Sequence, residues 1–291
     1  MIDVPPAFKH ALCSLILVGA GCGVADRAPA SDGSAQPAAH DSSPAPTGRI
    51  RGVVTLHGAG PVSRTESVAQ QQNVCGTSVG VTRLSLGANG AVKGAIVYLD
   101  GLDAGAAPSR ALQPVVVVEQ KDCQYAPGAL VVSPGTPIDI VNDDPILHNV
   151  HAREQTTDGL RTVFNIAQPV RGQRTRVSVP LTRPGVVELS CEAGHPWMSA
   201  YMLVASHGYA AVTDQDGAFV IDDVPVGTYP LTMWHQGVTL TRVIPSLQRF
   251  EYEAPYQKTE QAVVRPNEET VVTFALELRS ASPTEVSEHT Q

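Results

Sequence analysis

Aromatic residues make up only 5% of this 291-residue chain, with two tryptophans. That scarcity argues against the stacked aromatic platform of a single-strand nucleic-acid binder. Basic residues are outnumbered, 20 Lys and Arg against 28 Asp and Glu, for a formal charge of -8. This balance excludes nucleic acid as the expected partner. No hydrophobic run is long enough to cross a bilayer, since the apolar segment 11–20 falls well short of the required span. Helical periodicity nowhere exceeds a turn or two. The motifs that announce common catalysts are also missing: there is no Gly-x-Ser-x-Gly elbow, phosphate loop, His-Glu-x-x-His pair or complete dinucleotide fingerprint. An enzyme is therefore not expected.

What the chain has in quantity is glycine (25), proline (23) and short apolar runs, which together favour many short strands. Strand patterns fall at 50–56, 93–99, 115–119, 130–132, 138–141, 175–179, 186–190 and 201–205, with Asn89-Gly90 as a hairpin turn. The expected class is all-β, arranged as sandwiches.

One stretch carries the chemistry. It opens with Asn142-Asp-Asp-Pro-Ile-Leu-His148-Asn149-Val-His151 and closes with Cys191-Glu-Ala-Gly-His195-Pro-Trp-Met198. A thiolate, two imidazoles and a weak thioether form the ligand set of a trigonal copper site with an axial methionine. The expected ligands are His148, Cys191, His195 and Met198. Met198 as a filler of core space and His151 as the ligand in place of His148 are the bland and the rival readings. Period-two alternation puts His151 on the same strand face as Asn149.

This pattern resembles the cupredoxins, the plastocyanin-like blue-copper proteins, over residues 114–206. The run Tyr125-Ala-Pro127-Gly through Asn142 is cupredoxin-like as well. The resemblance implies a Greek-key β-sandwich, electron transfer, and a role for Asn149 in tying the two ligand loops together near the sulfur. His151 would sit beside it, outside the ligand set. The three residues between Cys191 and His195 follow the second half of the dinuclear copper motif of terminal oxidases. That motif needs a second cysteine where this chain has Val187, so one copper per chain is expected.

A second resemblance lies downstream. Ala211-Val-Thr213-Asp-Gln-Asp216-Gly217-Ala-Phe219 through Pro225-Val-Gly227-Thr-Tyr229 is similar to a transthyretin-like, carboxypeptidase-regulatory-type sandwich. Asp214-x-Asp216-Gly217 reads as a tight turn rather than a calcium loop, for want of further carboxylates. The early strands near 52–56 and 94–97 resemble the opening of the same sandwich. Either residues 49–113 and 207–279 form one discontinuous domain carrying 114–206, or two sandwiches follow one another. Such a combination resembles bacterial methylamine-utilisation-like proteins, although Gly128 stands where many of these have a histidine.

Segment 1–21 reads as an export signal, and Val18-Gly-Ala-Gly-Cys22 resembles a lipobox, so Cys22 is either lipidated or follows a simple cleavage. Residues 22–48 and 280–291 lack hydrophobic period and read as a tether and a tail. The expected address is the periplasm or cell surface, with a lipid anchor in the outer membrane. Of five cysteines, Cys13 leaves with the signal, Cys22 carries lipid and Cys191 binds copper. Cys75 and Cys123 then remain as a disulfide in an oxidising compartment, or as two buried thiols. The expected partner is a redox protein such as a cytochrome or an oxidoreductase. Arg171, Arg174, Arg176 and Arg183 are either its docking patch or a solvated strand edge. Copper storage or delivery, and a binding module with a vestigial copper loop, are the alternative functions.

Overall fold

The computed structural model describes residues 45–58, 63–102, 114–247 and 249–279. The export signal, Cys22, most of the tether and the tail lie outside the described residues. The chain is all-β, and its helical elements among the described residues are one four-residue α-helical turn, Gln72–Cys75, and two 3-10 turns, Ala88–Gly90 and Pro245–Leu247.

The central part of the chain forms a β-sandwich of two facing sheets. One sheet has the order Gln173–Arg176, Ile138–Asn142, Val116–Lys121, Gln124–Ala126, and the other Gly159–Gln168, His148–Thr156, Gly185–Ser190, Ser199–Val204, Ala129–Val132. Strict alternation along Val116–Lys121 turns Val116, Val118 and Gln120 inward. Ile138 and Ile140 join them, and Val150, Ala152, Val187, Leu189, Ala200 and Met202 pack from the opposite sheet. Gln120 is fully buried and donates its amide to Gln168, which in turn donates to the Ile140 carbonyl and Thr175 Oγ1. These bonds tie the two buried glutamines together across the layer, although Gln120 Oε1 has no partner.

Two sheets build the second core. Thr47–His57 lies between Ala218–Pro225, antiparallel, and Glu269–Glu277, parallel. Facing it, Ile96–Leu99 lies between Ala210–Val212 and Gly227–His235, with Tyr256–Val264 beyond. Strands from before residue 102 and after residue 209 thus share both sheets, and the first sandwich is threaded between them. Phe219 and Ile221 point inward beside Ile50, Val54, Leu231 and Phe274. The Asp214 turn forms as expected: Asp214 Oδ1 accepts the amides of Asp216 and Ala218 at 2.9 Å, and Gly217 takes φ +68°.

The ribbon formed by Arg64–Ser67 and Ser78–Val81 does not join that second core. Its Val68, Val79 and Val81 pack into the first sandwich, and the turn between its strands carries Cys75.

Three details differ from the sequence reading. The apolar run 93–99 is two strands broken at Gly94, whose φ of +84° no β-branched residue adopts without strain. The strand expected at 175–179 lies at Gln173–Arg176, in register with Ile138–Asn142, so that Arg174 and Arg176 bracket Asp139. The pair His148–Thr156 and Gly159–Gln168, the longest hairpin of the first sandwich, carries no clean hydrophobic alternation, and pairing and tertiary burial decide it instead.

Candidate metal centre

His148 opens a strand, and the five residues before it form the loop that aims it. Asn142 ends the preceding strand and folds its side chain back, accepting the Asp144 amide at 3.0 Å and donating to the Ile146 and Gln168 carbonyls. This turn places the Asp144 carboxylate 2.9 Å from His148 Nε2. The proton is thereby fixed on Nε2 and the Nδ1 lone pair is directed inward. Asp144 is itself held by the amides of Asp122 and Cys123 at 3.0 and 2.9 Å.

Cys191 follows directly on the strand Gly185–Ser190. The loop after it closes on itself: the Cys191 amide donates to the Met198 carbonyl and the Met198 amide to the His195 carbonyl. Gly194, at φ +92°, supplies the left-handed backbone that the loop requires. His195 Nδ1 thereby comes to 3.2 Å from His148 Nδ1 and 3.7 Å from the Cys191 sulfur. One ligand atom from each of His148, Cys191 and His195 lies within 4.8 Å of the others. Both imidazoles and Met198 are fully buried, and Cys191 is 1% exposed.

Burial dominates the electrostatics. It pushes the His195 pKa down to about 4, with His148 adding to the shift, and it lowers His148 against the pull of Asp144. Both rings are neutral at physiological pH, as metal binding requires. Burial also raises the Cys191 thiol, opposed by backbone hydrogen bonds from Asn149, Ala193 and His195 and by the Tyr125 hydroxyl. The Tyr125 phenol is held well above its usual range by burial and then by the nearby Cys191. The phenol donates to the Asn149 carbonyl.

Asn149 bridges the two ligand loops. Its Oδ1 accepts the Glu192 amide at 2.8 Å and its Nδ2 donates to Asn165 Oδ1 at 2.7 Å. His151 shares its strand face and stays apart from the cluster: Nδ1 lies 2.9 Å from the Glu192 carboxylate and Nε2 is 2.7 Å from Thr162 Oγ1. Trp197 sets its ring edge-on to His195, with centroids 5.4 Å apart, and donates Nε1–H to the Cys123 carbonyl. Cys123 is disulfide-bonded to Cys75, so the pair expected from the cysteine count forms.

The structure brings His148, Cys191 and His195 together and buries Met198 at the end of the same loop. Sequence reasoning missed Asp144 and Tyr125. An acid four residues before the histidine was a legible signal for Asp144, whereas Tyr125 reaches the sulfur only through the packing of the two sheets.

A donor set of one thiol and two inward-facing imidazole nitrogens, closed to water, fits copper. His195 Nε2 has no hydrogen-bond partner despite its burial. A metal ion on Nδ1 would relieve the crowding of two imidazole nitrogens at one point.

No family model matches the chain, and no curated protein matches it. Among solved structures it is similar to a copper-containing nitrite reductase from Thermus scotoductus SA-01, at 24% identity over 36% of this chain and 27% of that one, with a TM-score of 0.26. It is also similar to a purple cupredoxin from Nitrosopumilus maritimus, at 21% identity over 31% of this chain and 99% of that one, TM-score 0.26. A Cu(I) amicyanin variant matches at 15% identity over 38% of this chain and 98% of that one, again with a TM-score of 0.26. The likeness thus spans about a third of this chain in each case, and 27% of the nitrite reductase.

Proposed function

We propose that this chain is an exported, mononuclear copper protein of cupredoxin type that passes single electrons between partners rather than catalysing a reaction. The observation that carries the reading is the buried convergence of Cys191 Sγ with the Nδ1 atoms of His148 and His195. Copper, when bound, supplies one-electron exchange between its two oxidation states. The protein's residues do the rest. Cys191, His148 and His195 bind, with Met198 as the weak fourth donor. Asp144 orients His148. The amides of Asn149, Ala193 and His195 and the Tyr125 hydroxyl disperse charge on the sulfur. Burial excludes water, and the Asn149 bridge limits rearrangement of the two loops.

The wider setting belongs to the same proposal. Segment 1–21 directs export, Cys22 anchors the chain by lipid to the outer membrane, and 22–48 is the tether. Segments 49–113 and 207–279 together form a regulatory-like sandwich that carries the copper domain, 114–206. The partner is a cytochrome or an oxidoreductase.

A second reading, copper storage or delivery, is favoured by one observation: His195 is 0% exposed, a ligand sealed for retention rather than presented at a surface. Visible and EPR spectra after Cu(II) titration, beside the Cys191→Ala variant, separate the two. An intense thiolate charge-transfer band at one copper per chain, lost in the variant, is expected for electron transfer. A colourless protein that retains Cu(I) would replace that reading with storage or delivery.

A further inference from the structure

Two more sulfur atoms stand against the proposed copper ligands. The Sγ atoms of Cys75 and Cys123 and a ring nitrogen of His195 all lie within 4.8 Å of one another. Cys123 Sγ is also within 4.8 Å of a ring nitrogen of His148 and a carboxylate oxygen of Asp144. His195 is fully buried, and its Nε2 is without a hydrogen-bond partner. Joined as a disulfide, the sulfurs are uncharged and poor donors. Separated, they are two thiols set against an imidazole.

We propose that reduction of Cys75–Cys123 creates a second metal site, selective for Cu(I), built from the two thiolates and His195 and adjoining the first. The choice of ion rests on the copper reading above, whereas the site itself rests on the sulfur geometry. Soft thiolates select Cu(I) over harder ions.

The chemistry balances with a dithiol as reductant. One thiolate of the dithiol attacks Cys75 Sγ, since Cys75 as a residue is partly exposed while Cys123 is fully buried. The S–S bond breaks and Cys123 leaves as a thiolate. The second thiol of the reductant then attacks the mixed disulfide, Cys75 is released, and the reductant departs as its own disulfide, having given two electrons and two protons. Binding of Cu(I) displaces one proton from each thiol and, when the first site is filled as well, a third from His195, whose two ring nitrogens then hold one ion each.

Both cysteines have reasons to stay in place after reduction. The Cys123 amide donates to Asp144 at 2.9 Å and its carbonyl accepts Trp197 Nε1–H at 3.0 Å. The Cys75 amide donates to the Gln71 carbonyl within the helical turn, and Val68, Val79 and Val81 keep the ribbon packed in the core.

The test is the Cu(I) count of the full chain, taken anaerobically against a chromophoric chelator, before and after treatment with a dithiol and its removal. One Cu(I) is expected in the oxidised protein and two in the reduced protein. The double variant Cys75→Ser, Cys123→Ser is expected to hold one in either state. Cys191→Ala is expected to hold none when oxidised and one when reduced, which isolates the second site. An equal count in both states of the wild type would overturn the second site and leave the first standing. None when oxidised and one when reduced in the wild type would do the reverse. Loss of the near-ultraviolet dichroism on reduction would also overturn it, because the site requires the ribbon to remain folded.

Discussion

At the scale of single residues, a carboxylate decides how well the centre is organised. Asp144 is the only described side chain hydrogen-bonded to His148 Nε2, and through it the Nδ1 lone pair is aimed at Cys191 and His195. Asp144→Asn keeps an oxygen for the Cys123 amide, sets an NH2 group against the Asp122 amide that Oδ1 accepts, and loses the charge that orients the ring. Partners of this kind are worth about 10–100-fold in metal affinity. The expected outcome is a drop of about tenfold or more in copper affinity, read by chelator competition, with little change in melting temperature. His235 gives a second prediction. It is 2% exposed, donates Nδ1–H to the Gln236 carbonyl, and burial pushes its pKa from 6.5 to about 4. Between those values the unfolded chain binds a proton that the folded chain refuses. Stability is therefore full above pH 6.5, falls as pH drops toward 4, and levels off below, by at most about 3 kcal/mol from this group. His235→Asn keeps a donor and cannot titrate, so denaturant melts of the variant are expected to show a shallower loss between pH 6.5 and 4 than the wild type. An unchanged slope would assign the acid sensitivity to other groups.

At the scale of elements, legibility follows periodicity. Val116–Lys121 announces itself by a run of β-branched residues, and Ala218–Pro225 because Phe219 and Ile221 alternate with outward residues along its first half. His148–Thr156 does not, since Arg153 and Glu154 are buried along with Val150 and Ala152. Arg153 is bonded there to Ser190 and Glu192, distant in sequence, and Glu154 to Arg161 across the hairpin, and this pairing makes the burial tolerable. The cluster was legible as residue types, His148, Cys191 and His195, because these are the donors a copper site would use. Its surroundings were not: Tyr125 and the Cys75–Cys123 ribbon reach it only through tertiary packing. That ribbon carries its own prediction. The disulfide closes a separation of 48 residues. In the chain-entropy account a loop of this size is worth about 4 kcal/mol, and native bridges typically give about 2–4. The double variant Cys75→Ser, Cys123→Ser is expected to unfold at lower denaturant, by about that free energy, with its far-ultraviolet spectrum unchanged. A midpoint equal to the wild type would mean that the Val68, Val79 and Val81 packing alone holds the ribbon.

At the scale of the whole molecule, the two sandwiches are joined by more than the chain that threads them. A small apolar cluster of Ile96, Trp234, Leu203 and Ala205 lies where the sheets meet, and Tyr201 packs on Trp234 at 5.2 Å. Beside it opens a cleft of about 970 Å³ lined by Tyr98, Tyr201, Trp234, Phe250 and Tyr252. Arg83 crosses this junction almost wholly buried. It donates to Gly237 O, Ser199 Oγ and Tyr201 Oη, and its guanidinium sits 3.6 Å from the Tyr252 ring centre. Ser199 directly follows Met198, so one side chain couples the second sandwich to the end of the ligand loop. Arg83→Ala removes three hydrogen bonds and a desolvated cation–π contact, and leaves buried acceptors unpaired. Each such bond is worth about 1 kcal/mol net, and the contact about 2 or more. The expected cost is about 5 kcal/mol. Its distribution matters more than its size, because the junction is what makes two cores unfold as one. In a Trp197→Phe background Trp234 is the sole tryptophan and reports the junction, while thiolate-to-copper absorption reports the centre. With Arg83 present the two signals are expected to melt together. With Arg83→Ala, Trp234 fluorescence is expected to change first and the absorption later. Coincident transitions in the variant would mean that the apolar cluster alone carries the coupling between the sandwiches.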